Sequence, residues 1–250
     1  MTDAALDDDA RAILERLRTP KRRVRPRLAE PLRDALDQIV ETPVGPVMAW
    51  RLGEGPAVLL VHGWEDDNAL WSPLIERLWE IGRAVVVLDL PGHGFSPAED
   101  ASPEGCAAAL RAVADALGPV DALVSHSFGG PVAVLAMRQG LAVRRAALIA
   151  AAIPRRGGWV ERLRGHVPDA VLDRARALAA EAYDVEADVP AMTAEALLVH
   201  SLDDEQTPVE NSERLAGLWP QARLALTDGL GHRLIAQDEA VLQRVVDFVA

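Results

Sequence analysis

The chain has a single cysteine, Cys106, so no disulfide can form within it. No charged group stands beside that thiol to activate it, and SPEGCAAAL reads as the start of a helix, capped by Ser102 with Pro103 in the first turn. Lysine is almost missing. Lys21 stands alone, and the other basic residues are arginines. Basic residues number 26 against 38 acidic ones, a net charge of −12 that disfavours nucleic acid as the main partner. No apolar run reaches the roughly 20 residues needed to span a bilayer, so no membrane association is expected. The first residues, MTDAALDDDA, are acidic and lack the apolar core of a signal peptide, which makes a cytoplasmic location the expectation. Internal repeats and low-complexity linkers are absent too.

Half of the 250 residues are hydrophobic, enough for one large domain with a substantial core. Residues 1–37 are charged at both signs, with one amphipathic piece, ARAILERLR, before the arginine-rich PKRRVRPRL. They read as a solvated N-terminal extension. From residue 38 the pattern changes. QIVETPVGPVMAWRL holds two short apolar stretches split by PVGP, as in a hairpin. Six apolar runs follow, at 57–62, 84–90, 122–127, 146–151, 196–201 and 222–227. Most are apolar almost throughout, as strands buried on both faces should be. Between them lie segments with apolar positions three and four apart, such as AAALRAVADALG. The alternation predicts an α/β fold with a mostly parallel sheet flanked by helices. One interval, 153–195, is too long for a simple crossover and reads as a small helical cap. The core would then comprise residues 38–152 and 196–250.

In open α/β sheets, ligands bind beyond the carboxyl ends of the strands. Those ends carry His62-Gly63-Trp64, Asp89-Leu-Pro-Gly-His-Gly, Ser127, Asp203-Asp204 and Gly231-His232. A nucleophile, an acid and a base thus fall where one site would form, in the order Ser, Asp, His. On these motifs the chain resembles the α/β-hydrolase family, in particular its small, cofactor-free serine hydrolases of carboxylesterase type. VHGW resembles the oxyanion segment after the third strand, and DLPGHGFS the turn after the fourth. VSHSFGG resembles the nucleophile elbow, LLVHSLDDEQTP the acid loop and GLGHRLI the base loop. The resemblance covers about residues 40–250.

It implies a triad of Ser127 as nucleophile, Asp204 as acid and His232 as base. It also implies an oxyanion hole from the backbone N–H groups of Trp64 and Phe128. Trp64, Phe128 and Trp159 are candidate pocket walls for a small ester substrate, with no cofactor and no metal. The elbow departs from G-x-S-x-G, because Ser125 stands at the first glycine position. Serine is nearly as small, and Gly129 and Gly130 remain on the helix side. Ser125 itself should lie inside the strand, and His126 should pack beside the elbow. Asp203 is the rival acid, but the spacing to Pro208 favours Asp204. Asp228 falls on another loop.

Among the other histidines, His62 and His93 read as structural and His200 as a core histidine, while His166 carries no assignment. Glu65-Asp66-Asp67 reads as a solvated loop capping the next helix. Arg155, Arg156, Arg162 and Arg164 read as a solvated helix face, with binding of an anionic substrate group as the alternative. Fold does not fix substrate. The same triad serves thioesters, lactones, peracid formation and C–C cleavage, and a catalytically silent binding protein of this fold is the non-enzyme alternative.

Overall fold

The computed structural model describes residues 3–21, 26–153, 157–182 and 184–250, without the side chains of Trp159, Arg162 and Ala182. Among them the elements run α1 (Asp3–Leu17), β1 (Leu36–Val40), β2 (Val47–Leu52), β3 (Ala57–Val61), α2 (Ser72–Glu80), β4 (Ala84–Leu88) and α3 (Pro103–Leu117). Then come β5 (Val120–His126), α4 (Gly129–Arg138), β6 (Arg145–Ile149), α5 (Asp169–Ala182), α6 (Val185–Asp188) and β7 (Glu195–Ser201). The chain closes with α7 (Glu210–Leu218), β8 (Ala222–Thr227), α8 (Gly231–Leu234) and α9 (Glu239–Val249).

The eight strands form one sheet in the order β1-β2-β4-β3-β5-β6-β7-β8. The hairpin pairs β1 with β2 antiparallel, and β2 adds antiparallel to β4. From β4 to β8 every pairing is parallel. The buried runs explain the layers. Along β3, Leu59 and Val61 face one cluster, packed with α3 and α4. Val58 and Leu60 face the other, packed with α2 and α9. Strands covered on both faces need apolar residues at every position, and all five residues of β3 and of β4 are buried. Burying each valine or leucine side chain of these strands fully contributes about 1.5–3 kcal/mol.

Ser102 accepts from the Gly105 N–H and caps α3, with Pro103 at its start and Cys106 fully buried inside it. Burial pushes the Cys106 thiol well above the ordinary value, so the thiolate is disfavoured. Between β6 and β7 lie a 3-10 turn at Gly158–Leu163, α5, α6 and a second 3-10 turn at Val189–Ala191.

The N-terminal stretch departs from the solvated extension expected of it. Ala10 and Leu14 of α1 are buried in a cluster of their own with Val160, Val171, Leu172, Ala175 and Ala179. Ala29 and Leu32 join the sheet's second core, and β1 already begins at Leu36. The charges of α1 lie around a narrow apolar stripe, and that stripe finds its partner in α5.

Candidate active site

Ser127 stands immediately after β5, at a turn that leads straight into α4. Its φ is +52°, a left-handed conformation that a non-glycine residue adopts only at a cost of about 1–3 kcal/mol. Three backbone bonds hold it there. The Ser127 N–H donates to Ile149 O at 3.0 Å, and the Ser127 carbonyl accepts from Gly130 and Ala152 at 2.9 and 3.0 Å. The glycines after the turn have a steric reason. A Cβ on Gly129 would lie 2.5 Å from Val61 O, and one on Gly130 would lie 2.8 Å from the Ala151 Cβ. Ser125, where the motif has glycine, lies inside β5 with its hydroxyl buried and unpartnered among the described residues.

His232 arrives on α8, after β8, and is mostly buried. Its Nε2 lies 2.8 Å from Ser127 Oγ, and its Nδ1 lies 2.7 Å from Asp204 Oδ2. The serine O–H can donate to Nε2 while Nδ1–H donates to the carboxylate. Asp204 follows β7. Its other oxygen accepts from the N–H groups of Gln206 and Thr207 at 2.9 and 2.8 Å. Asp203 is turned elsewhere, taking the Gly231 N–H at 3.1 Å and the Ser201 hydroxyl.

Asp204 has a second histidine. His200 Nε2 lies 3.3 Å from Asp204 Oδ2 and 2.9 Å from Thr207 O, and its Nδ1 lies 2.7 Å from Ser212 Oγ. A carbonyl only accepts, so Nε2 carries the proton and Nδ1 takes the Ser212 O–H. Burial works to raise the Asp204 carboxyl, but hydrogen bonds from His200, His232 and Thr207 outweigh it and hold it below the usual carboxylate range. The expectation of a satisfied core histidine fits His200, and the structure adds its contact with the acid. A histidine four residues before the acid was the available signal.

Trp64 and Phe128 flank the serine, their rings in edge-to-face contact with centroids 5.1 Å apart. Among the described residues neither backbone N–H donates to a protein acceptor. His62 is locked as a neutral tautomer, Nδ1 bonded to Gly63 O at 2.8 Å and Nε2 accepting the Leu90 N–H at 3.0 Å. His93 bonds to Pro91 O at 2.8 Å. The acidic loop is solvated only at Glu65. Asp66 and Asp67 are buried, against the expectation, because Asp66 meets Arg233 at 3.0 Å while Asp67 takes the N–H groups of Ala69 and Arg27. Asp67 does cap the short helix that follows, Asn68–Trp71.

A cavity of about 810 Å³ opens over Ser127 and His232, with Trp64, Phe128, Ile153 and Thr207 in its wall. The expected third wall residue, Trp159, has its side chain outside the described residues, as do Arg155, Arg156 and the side chain of Arg162. Arg164 is exposed and pairs with Glu161 at 2.7 Å. Leu17 and Arg18, from the N-terminal segment, line the cavity as well, which sequence reasoning missed. Among the described residues no group of three His, Cys, Asp or Glu could hold a metal ion, and no helix is long and apolar enough to cross a membrane.

With this geometry in place, the sequence model of the alpha/beta hydrolase family matches residues 58–187. The chain belongs to that family. A pimeloyl-[acyl-carrier protein] methyl ester esterase of Xanthomonas campestris is 40% identical over 100 residues, 40% of this chain and 38% of that protein. The match thus spans well under half of that relative's length. A protein of Variovorax paradoxus named as a carbamate hydrolase is 28% identical over 246 residues, covering 79% of this chain and 92% of its own. Among solved structures, an esterase from Exiguobacterium antarcticum superposes with a TM-score of 0.70 at 20% identity, covering 86% of this chain and 99% of that one. A Pyrococcus furiosus esterase gives 0.72 at 19%, covering 92% and 96%. At such identities the likeness speaks for the fold: an alpha/beta hydrolase sheet flanked by helices.

Proposed function

We propose that this alpha/beta hydrolase is a serine hydrolase that cleaves carboxylic esters through an acyl-enzyme on Ser127. The observation that carries the reading is the unbroken chain from Ser127 Oγ through His232 to Asp204, with contacts of 2.8 and 2.7 Å. A serine hydroxyl is a poor nucleophile until a base takes its proton. His232 Nε2 takes that proton as Oγ bonds to the ester carbonyl carbon. Asp204 fixes the imidazole tautomer and stabilises the imidazolium that forms. The carbonyl π electrons move to oxygen, which receives the N–H groups of Phe128 and Trp64. Each such donor is typically worth about 3–4 kcal/mol.

The tetrahedral adduct then expels the alcohol, which leaves with the proton from Nε2. Water follows the same route. It gives a proton to His232, attacks the acyl carbon and frees the acid, and the proton returns to Ser127. The helical segment between β6 and β7 acts as a cap. The cavity beneath it accommodates small to medium substrates, with Trp64 and Phe128 as walls. The relatives' names favour esters and carbamates over the thioesters, lactones, peracids and C–C bonds that the same triad can serve.

Hydrolysis of p-nitrophenyl esters from acetate to dodecanoate, by wild type beside Ser127→Ala, tests the reading. It predicts turnover in wild type, loss in the variant and a chain-length profile that sizes the cavity. Equal rates in the two proteins would sink it.

A further inference from the structure

The described residues of the N-terminal segment, 3–21 and 26–29, precede the family match, which starts at residue 58, yet Leu17 and Arg18 among them line the cavity over Ser127. α1 lies along α5, fastened by an Asp7–Arg174 ion pair at 2.5 Å. Beyond α1 the chain is tied to the loop after β3. The Lys21 N–H meets Glu65 Oε1 at 3.1 Å, and the Ala29 N–H meets Asn68 Oδ1 at 2.8 Å. Between these attachments Leu17 and Arg18 reach the cavity wall.

Among the described residues, Arg18 is the ionic group of that wall with no acceptor for its guanidinium. Its Nε is shielded from solvent and has no acceptor, and no carboxylate pairs with its guanidinium among the described residues. The Nε faces protein, and the terminal N–H groups of the guanidinium are the ones left accessible and without an acceptor among the described residues. The other ionic groups of the wall have partners. Arg214 meets Asn211 at 3.0 Å and Glu186 at 3.4 Å, and Arg233 meets Asp66. Glu161 meets Arg164, Glu65 takes the Lys21 N–H and Asp184 takes the Ala187 N–H. The same cavity wall also offers apolar surface, from Trp64, Phe128, Ile153 and Val185.

We propose that Arg18 is an anion subsite, which receives a carboxylate borne by the substrate at the end remote from the reacting ester. A guanidinium offers two parallel N–H donors that match a carboxylate. An alkyl chain between the two groups would lie on the apolar wall. The proposal rests on the ester-hydrolase reading only for the position of the reacting group.

Binding is therefore measured on Ser127→Ala protein, by calorimetry. The ligands are monomethyl esters of linear dicarboxylic acids and plain methyl esters of matched chain length. At the length that spans the cavity the charged ester should bind about tenfold tighter than its neutral partner. That ratio should shrink in about 0.5 M salt, fall to near one on adding Arg18→Gln, and survive in part with Arg18→Lys. A general packing defect would weaken both ligands and leave the ratio standing. Equal affinities, no binding of either series, or a preference that survives Arg18→Gln would overturn the proposal. If the binding preference holds but wild type cleaves neither series, the subsite stands and the ester reading falls.

Discussion

His126 donates from Nε2 to the backbone carbonyl of His232 at 2.8 Å, and the two rings sit 5.0 Å apart. The residue before the nucleophile thus holds the loop that carries the base. The acceptor is a carbonyl, so Nε2 keeps its proton and Nδ1 stays bare, buried and unpartnered among the described residues. Burial then pushes the His126 pKa down to about 3.

That shift has a sign. Unfolded, His126 takes up a proton near 6.5; folded, it stays neutral until about 3. Its contribution is present in full above the unfolded value and is lost as pH falls through the folded one. Urea unfolding between pH 7 and pH 4.5 should show wild type losing stability faster than His126→Gln. The difference in slope should reach up to about 1.4 kcal/mol per pH unit. Parallel slopes would remove His126 from the account.

The contact between His200 and Asp204 makes a second prediction. With His200 gone the carboxylate is held less firmly against His232 Nδ1, so the base is oriented less well, and as a less-satisfied acceptor Asp204 also favours the protonated imidazole. His200→Leu should lower kcat about ten- to a hundredfold with little change in KM. It should also move the acid limb of the pH–rate profile upward. His200→Gln, which keeps an N–H donor, should recover part of both. A simple stability loss would leave the acid limb in place.

Gly129→Ala tests the elbow without touching a reacting group. The added methyl would meet Val61 O at 2.5 Å and His62 O at 2.8 Å, and both are backbone. Thermal unfolding should report a loss of about 1–3 kcal/mol, and kcat/KM should fall as Ser127 shifts. An unchanged melting point would mean that the close approach of α4 to β3 does not constrain the turn.

Much of this is legible in the amino-acid sequence. The run AVLLV has no polar position, so it had to be a strand covered on both faces, and β3 is one. Ser127, Asp204 and His232 stand at strand ends that a parallel sheet brings to one edge, and the fold places them in hydrogen-bond contact. What escaped the sequence depends on distant partners. ARAILERLR interleaves its charges with a narrow apolar stripe, and burial of that stripe requires α5, whose Arg174 lies 167 residues from Asp7. Asp66 and Asp67 look like solvent-facing acids until Arg233 and the backbone of Arg27 arrive. The reach of His200 to the acid follows from the turn at Asp204, which no periodicity encodes.

The most direct measurement is intact mass of the protein quenched in acid during turnover of p-nitrophenyl acetate, followed by peptide mapping. The account predicts an added acetyl group on Ser127 in wild type and none in Ser127→Ala. Steady turnover with the acetyl group on another residue, or an adduct that persists in the variant, would contradict it.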